Sequence, residues 1–218
     1  MKISIADAVR YMGAGEGNGE IRRMTAETAA ELERKITPRY TWRVFRIDRR
    51  NGGIFLKEAG EPLRGRLAEN MLAECDAAVL VACTLGAEFD AMQRAQEARD
   101  MARAVILDAC GSAWVEAGCE AAEEEIAARF PDMYLTDRFS PGYGDLPLES
   151  QDWILCALNA GRRLGIAANA SHLLTPAKSV TAVIGLSEKQ QGAKIRGCAY
   201  CKLREGCAYR ERGTHCGV

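Results

Sequence analysis

Arg138, Tyr143 and Asp145 lie close together in a stretch, Asp137 to Gln151, that reads Asp-Arg-Phe-Ser-Pro-Gly-Tyr-Gly-Asp-Leu-Pro-Leu-Glu-Ser-Gln. A guanidinium can grip a carboxylate through two parallel hydrogen bonds, and a tyrosine ring can stack or bond through its hydroxyl. Two prolines and two glycines prevent this stretch from continuing a helix. Pro141-Gly142 is a turn signature, because proline presets φ at the first central position and glycine supplies positive φ at the second. Such a loop is stiff and can hold its three polar side chains at fixed angles around a ligand. The same composition also fits an irregular connection between two helices.

The second set of chemistry-bearing residues lies at the other end of the chain. From Gly192 onward the apolar periodicity stops, and Cys198-x-x-Cys201, Cys207 and Cys216 are threaded with Lys202, Arg204, Arg210 and Arg212. Two cysteines separated by two residues can bind one ion from a single turn, and two more complete a tetrahedral thiolate set. An iron–sulfur cluster also takes four thiolates and would suit electron delivery. His215 can stand in for one cysteine, and the arginines offset the negative charge of such a site. The spacing lacks the second Cys-x-x-Cys of a regular zinc ribbon, so zinc, iron–sulfur and a reduced, metal-free tail all stay open.

The remaining elements must position these groups. Ser4-Ile-Ala-Asp7 opens a short helix, and a glycine-rich run from Gly13 to Gly19 reads as a connector rather than a phosphate loop, since it lacks Gly-Lys-Ser/Thr and a preceding strand. A second helix is expected from about Thr25 to Ile36, a strand at Tyr40 to Ile47, a turn at Asn51-Gly52-Gly53, a strand from Ile54 to Lys57, and a helix from Leu63 to Cys75. Ala77 to Thr84 is a continuous apolar run, expected as a strand buried on both faces, and Thr84-Leu85-Gly86 turns it into a helix near Ala87. That turn is either a pocket edge or a plain strand-to-helix junction. Met101, Val105, Asp108, Ser112, Val115, Cys119, Ala122, Ile126 and Phe130 recur at steps of three and four, one face of a long helix that Pro131 ends. Asp108 on that face reads as a buried carboxylate needing a partner or a ligand. A helix from Glu149 to Leu164 ends at Gly165, and Ser179 to Gly185 is a further strand. His172 reads as a hydrogen-bonded core or boundary residue. Hairpins mixed with long helices argue for an α+β fold rather than a regular βαβ array.

Residues Arg138 to Pro147 resemble the Arg-Pro-Ala-Pro-Gly-Tyr-Pro-Ala-Cys-Pro loop of the activation domain of cobalamin-dependent methionine synthase. Pro176-Ala-Lys-Ser179-Val180-Thr181-Ala is similar to that family's Pro-Gly-Ala-Ser-Val-Ser-Gly. The resemblance covers roughly Ala77 to Leu186. It implies an α+β domain with a mixed or antiparallel sheet and long helices, placed here over residues 1–190; the cysteine-rich tail at 191–218 follows from the change in composition and has no counterpart in that family's domain. It also implies that S-adenosylmethionine is held by Arg138, Pro141, Gly142, Tyr143, Ser179, Val180 and Thr181; Asp108, singled out by its place on the apolar helix face, would either meet the ligand's amino or sulfonium group or cap a neighbouring backbone. Departures are present: Phe139 and Gly144 replace prolines, Leu148-Glu149 replaces an acidic-His pair, and Val183-Ile184 replaces an aromatic pair.

Composition limits the partners. Lys+Arg 29 against Asp+Glu 30 gives net charge −1, so no strong field favours nucleic acid or an anionic membrane. No run approaches the roughly 20 apolar residues of a membrane span, and the N-terminus lacks the apolar core of a signal peptide, so a cytoplasmic protein with reduced or metal-bound cysteines is expected. No Asp-x-His-x-x-Gly is present, so cobalamin would arrive on a separate corrinoid-carrying methyltransferase. The resemblance therefore implies a stand-alone activation subunit that supports reductive remethylation of cob(II)alamin from S-adenosylmethionine, with a separate electron donor. The alternative is a zinc- or iron–sulfur-bearing adaptor or electron-transfer protein that docks on a corrinoid protein without binding S-adenosylmethionine.

Overall fold

The computed structural model describes residues 1–13, 19–50, 53–59, 61–190 and 204–206. Helix α1 (Ile5–Tyr11) starts behind Ser4, whose hydroxyl accepts the Asp7 amide at 3.2 Å, as the capping signature requires. Helix α2 (Gly19–Lys35) begins earlier than its apolar spacing indicated and stops ahead of Pro38. Strand β1 (Arg39–Arg50) is longer than its alternation indicated because it serves two partners. Its first eight residues pair antiparallel with β4 (Ala77–Thr84), and its last four with β2 (Gly53–Leu56). The helix expected from Leu63 is cut down. Pro62–Leu63 forms β3 against β2, and only Arg66–Met71 is helical, as α3. Positive φ at Gly65 (104°) separates the two elements.

After β4 come α4 (Ala87–Glu97), the long α5 (Met101–Arg129) and the short β5 (Tyr134–Leu135). Next are α6 (Ser150–Leu158), α7 (Ala160–Leu164), β6 (Ala167–Ala168), β7 (Leu174–Thr175) and β8 (Ser179–Ser187). The single helix expected over 149–164 is broken at Asn159, which takes positive φ (52°), and Gly165 closes α7 in the same left-handed region. The main sheet runs β3-β2-β1-β4-β8-β5 with every neighbouring pair antiparallel, and β6-β7 forms a small second sheet. This is the α+β architecture with an antiparallel sheet and long helices that the sequence indicated.

Helices cover both faces of the sheet, which is why β4 is buried from Ala78 to Thr84. On one face Leu80, Val183 and Phe139 pack beneath α3, α6 and α7, in one cluster with Ile154 of α6. On the other, Val79, Val81 and Ile184 pack against Ile126 of α5, which is itself sandwiched by α1, α2 and α4. The sandwich corrects the first part of the expected face of α5, while Val115, Cys119, Ala122 and Ile126 on that face are buried as expected. Met101 and Val105 are 63% and 50% exposed, whereas Ala104, Ile106, Leu107 and Ala109 are buried. A helix covered from several sides has no single apolar stripe, so from Met101 to Ser112 the three-four spacing picked out a partly open side. Among the described residues no helix is long and apolar enough to cross a membrane.

Candidate functional site

Residues 136–139 run beside β8, with Thr136 bonded to Gly185 and Phe139 to Val183. Alternation then decides where each side chain goes. Phe139 enters the α6 face with Val183, so Arg138 turns to the α5 face. There its two terminal guanidinium nitrogens donate to Glu116 and Glu123, which lie seven residues apart on one side of α5. The Arg138 side chain is only 11% exposed. Burial works against its charge, but the carboxylates of Glu123 and Glu116 outweigh that and hold it firmly protonated.

Glu116 also lines a cleft of about 750 Å³ bounded by α1, α4, α5 and the turn before β8. Part of its lining is apolar, from Tyr11, Met12, Met101 and Val105. The rest includes the polar side chains of Gln93, Glu97, Asp108, Ser112, Glu116 and Lys178. Lys178 reaches across the cleft, with Nζ 2.8 Å from an Asp108 carboxylate oxygen and 2.9 Å from Ser112 Oγ. Asp108 is not a buried carboxylate: its side chain is 55% exposed and already paired. Burial, and then the nearby Glu116 charge, push the Tyr11 hydroxyl above its ordinary pKa.

The second motif supports this wall from behind. The Gly86 amide donates to Thr84 Oγ1 (3.0 Å), the Thr84 and Ser179 hydroxyls are 2.8 Å apart, and Ser179 donates to the Pro176 carbonyl (2.7 Å). One proton order satisfies the whole chain, with Thr84 donating to Ser179. Thr84 and Gly86 therefore form a hydrogen-bonded junction that pins the turn at the cleft edge. Ser179 lines the cleft and Val180 packs against the core between α5 and the sheet. Thr181 points to the opposite face, where it donates to Gln151 Oε1 (3.0 Å), and Gln151 Nε2 donates to the His172 carbonyl (2.7 Å). His172 is a boundary residue with Nδ1 2.7 Å from Asp152.

The Pro141-Gly142 turn forms as read: Gly142 has φ 84°, and the Tyr143 amide donates to the Ser140 carbonyl (3.0 Å). Pro141 is buried, but Tyr143 is 43% exposed, and none of Pro141, Gly142 and Tyr143 is among the residues lining the cleft. Asp145 is spent locally, accepting the Arg66 and Leu67 amides at 2.8 and 3.0 Å at the start of α3. The structure thus brings Arg138, Asp108 and Ser179 to one neighbourhood and leaves Tyr143 and Thr181 outside it. Glu116, Glu123, Lys178 and Tyr11 were missed in the sequence. The seven-residue spacing of the two glutamates on a long helix was the available signal for that pair.

Cys198, Cys201, Cys207 and Cys216 lie outside the described residues. Among the described residues, no group of three or more His, Cys, Asp and Glu is placed to hold a metal ion.

The fold resembles that of a methionine synthase reactivation domain. One solved structure with this likeness is the crystal structure of the MetH reactivation domain bound to AdoHcy, with a TM-score of 0.66 and 18% sequence identity, covering 95% of this chain and 77% of that chain. No protein-family model and no curated protein matches the sequence.

Proposed function

We infer that this chain is a reactivation module for a cobalamin-dependent methyltransferase of the methionine synthase type, and that the α5 cleft holds its adenosyl ligand. The observation that carries the reading is an amphiphilic cleft of ligand size in a fold like one solved with AdoHcy. S-adenosylmethionine has a flat nucleoside, a cationic sulfonium and an amino-acid end. Tyr11, Met12, Met101 and Val105 suit the nucleoside, while Asp108 and Glu116 suit the positive groups. Arg138 acts through Glu116, holding that carboxylate in the cleft wall. Ser179, Val180 and Thr181 hold the strand that forms the back of the site, and Pro141, Gly142 and Tyr143 shape the loop that carries Arg138. Bound S-adenosylmethionine would supply the methyl group, and the corrinoid partner the cobalt that receives it. The four tail cysteines would hold zinc or an iron–sulfur cluster, the latter giving the partner a route to an electron.

Calorimetric titration with S-adenosylmethionine and AdoHcy tests this reading, with Glu116→Gln expected to weaken S-adenosylmethionine about tenfold, the cost of one charged contact. Absence of binding to the wild type rejects the ligand. Co-purification of a cobalamin-carrying protein tests the partner, and metal analysis after anaerobic preparation tests the tail.

A second reading, an adaptor that docks on a corrinoid protein without binding the nucleoside, is favoured by one observation. Both terminal nitrogens of Arg138 already face carboxylates. Capture of a cobalamin protein by a chain that binds no S-adenosylmethionine would select it.

A further inference from the structure

We propose that Lys178 is the carboxylate anchor of the cleft and fixes its preference for ligands with a free α-carboxylate. This deepens the adenosyl-ligand reading above and rests on it. Among the described residues lining the cleft, Lys178 is the one cationic side chain. Arg138 is a poor alternative, since both terminal nitrogens of its fork donate to Glu116 and Glu123 and its side chain is nearly buried. Lys178 is differently placed. Its side chain is 16% exposed, enough to face the cleft, and two of its three N–H groups are engaged, by Asp108 and Ser112.

The Asp108 contact is exchangeable. Asp108 is more than half exposed, so its carboxylate can exchange Lys178 for solvent or for a ligand ammonium at small cost. An amino-acid head group matches what the three residues offer: its carboxylate takes the Lys178 ammonium, and its ammonium takes Asp108 or Glu116. Ion pairing is then redistributed rather than lost. Lys178 sits in the turn before β8, and its contacts with Asp108 and Ser112 on α5 place the head group at that turn.

The test compares three probes by calorimetry: AdoHcy, its carboxyl methyl ester, and 5′-methylthioadenosine, which lacks the amino-acid end. Wild-type protein is expected to bind AdoHcy roughly 10- to 100-fold more tightly than the ester, the scale of one charge-assisted contact. Lys178→Met is expected to lose that preference while keeping its affinity for 5′-methylthioadenosine, which also reports an intact fold. Equal binding of acid and ester by the wild type overturns the proposal and leaves the adenosyl reading standing, and needs no variant to fold. Preference for the acid that survives in Lys178→Met also overturns it. Failure of the wild type to bind any of the three overturns the adenosyl reading and this proposal together.

Discussion

Phe139 and Val183 exchange two backbone hydrogen bonds, at 3.0 and 2.8 Å, and that bridge turns Arg138 onto the opposite face of the sheet from the Phe139 ring. The guanidinium then pairs with both Glu116 and Glu123, offsetting one of their two negative charges. Arg138→Met should leave two carboxylates facing each other without a cation. Loss of one partner of a fully buried pair costs about 3–5 kcal/mol, and here the glutamates keep partial solvent contact, so a loss of about 1–3 kcal/mol is expected. Urea unfolding checks it. Adding Glu123→Gln to Arg138→Met should recover part of the loss, and a purely additive double variant would argue against the pairing.

Gly111 lies in the interior of α5, where alanine is normally favoured by roughly 1 kcal/mol. A Cβ there would stand 2.2 Å from the Phe89 ring, which is itself fully buried and cannot swing away. The clash should win, so Gly111→Ala is expected to destabilise by about 1–3 kcal/mol. Gly118→Ala, whose Cβ would meet Pro38 and Cys83, should behave likewise. A rise in thermal midpoint for either would contradict this packing.

The two amides that Asp145 accepts hold its carboxyl below the ordinary carboxylate pKa. A depressed native pKa means that the stabilisation is fully present above the unfolded value, roughly pH 4, and disappears as pH falls through the native value. Asp145→Asn should therefore melt below the wild type at pH 7, with the gap closing as the pH is lowered below about 4. A gap that stays constant with pH would mean that the charge is irrelevant.

Thiolate is the reactive form of cysteine, and burial pushes Cys75 up to about 11 and Cys110 to about 12. Cys119, hydrogen-bonded to Cys83 and buried, is held well above the ordinary thiol range too. Iodoacetamide at pH 8 should label Cys156, which is exposed on α6, and spare Cys75, Cys110 and Cys119 until the protein is denatured. Site-resolved mass spectrometry reads the order, and early labelling of Cys110 would refute the packing around it.

Elements whose residues shared one environment were legible in the sequence. The run Ala77–Thr84 is buried on both faces and could hardly be other than a central strand, and Pro141-Gly142 dictated its own turn. Elements that depend on distant contacts were not. Leu63 is in a strand because β2 offers it an edge, and Asn159 breaks a helix that its neighbours' propensities would have continued. The site was half legible for the same reason. Arg138 stood out as a residue, but that it meets Glu116 and Glu123 follows from strand pairing about 45 positions downstream, at Val183. Lys178 looked incidental within its motif, because its relation to Asp108 exists only once β8 lies along β4 and brings its leading turn up to α5.

The order in which β4 acquires its neighbours bears on synthesis. β1 precedes it and can pair at once, but β8 follows after nearly a hundred residues, most of them in helices. A nascent chain emerging from the ribosome must therefore carry its most apolar strand with one open edge until Ser179–Ser187 has been translated. The interval is long enough for a chaperone to matter, and a ribosome stalled before β8 would release a sticky fragment rather than a smaller working domain.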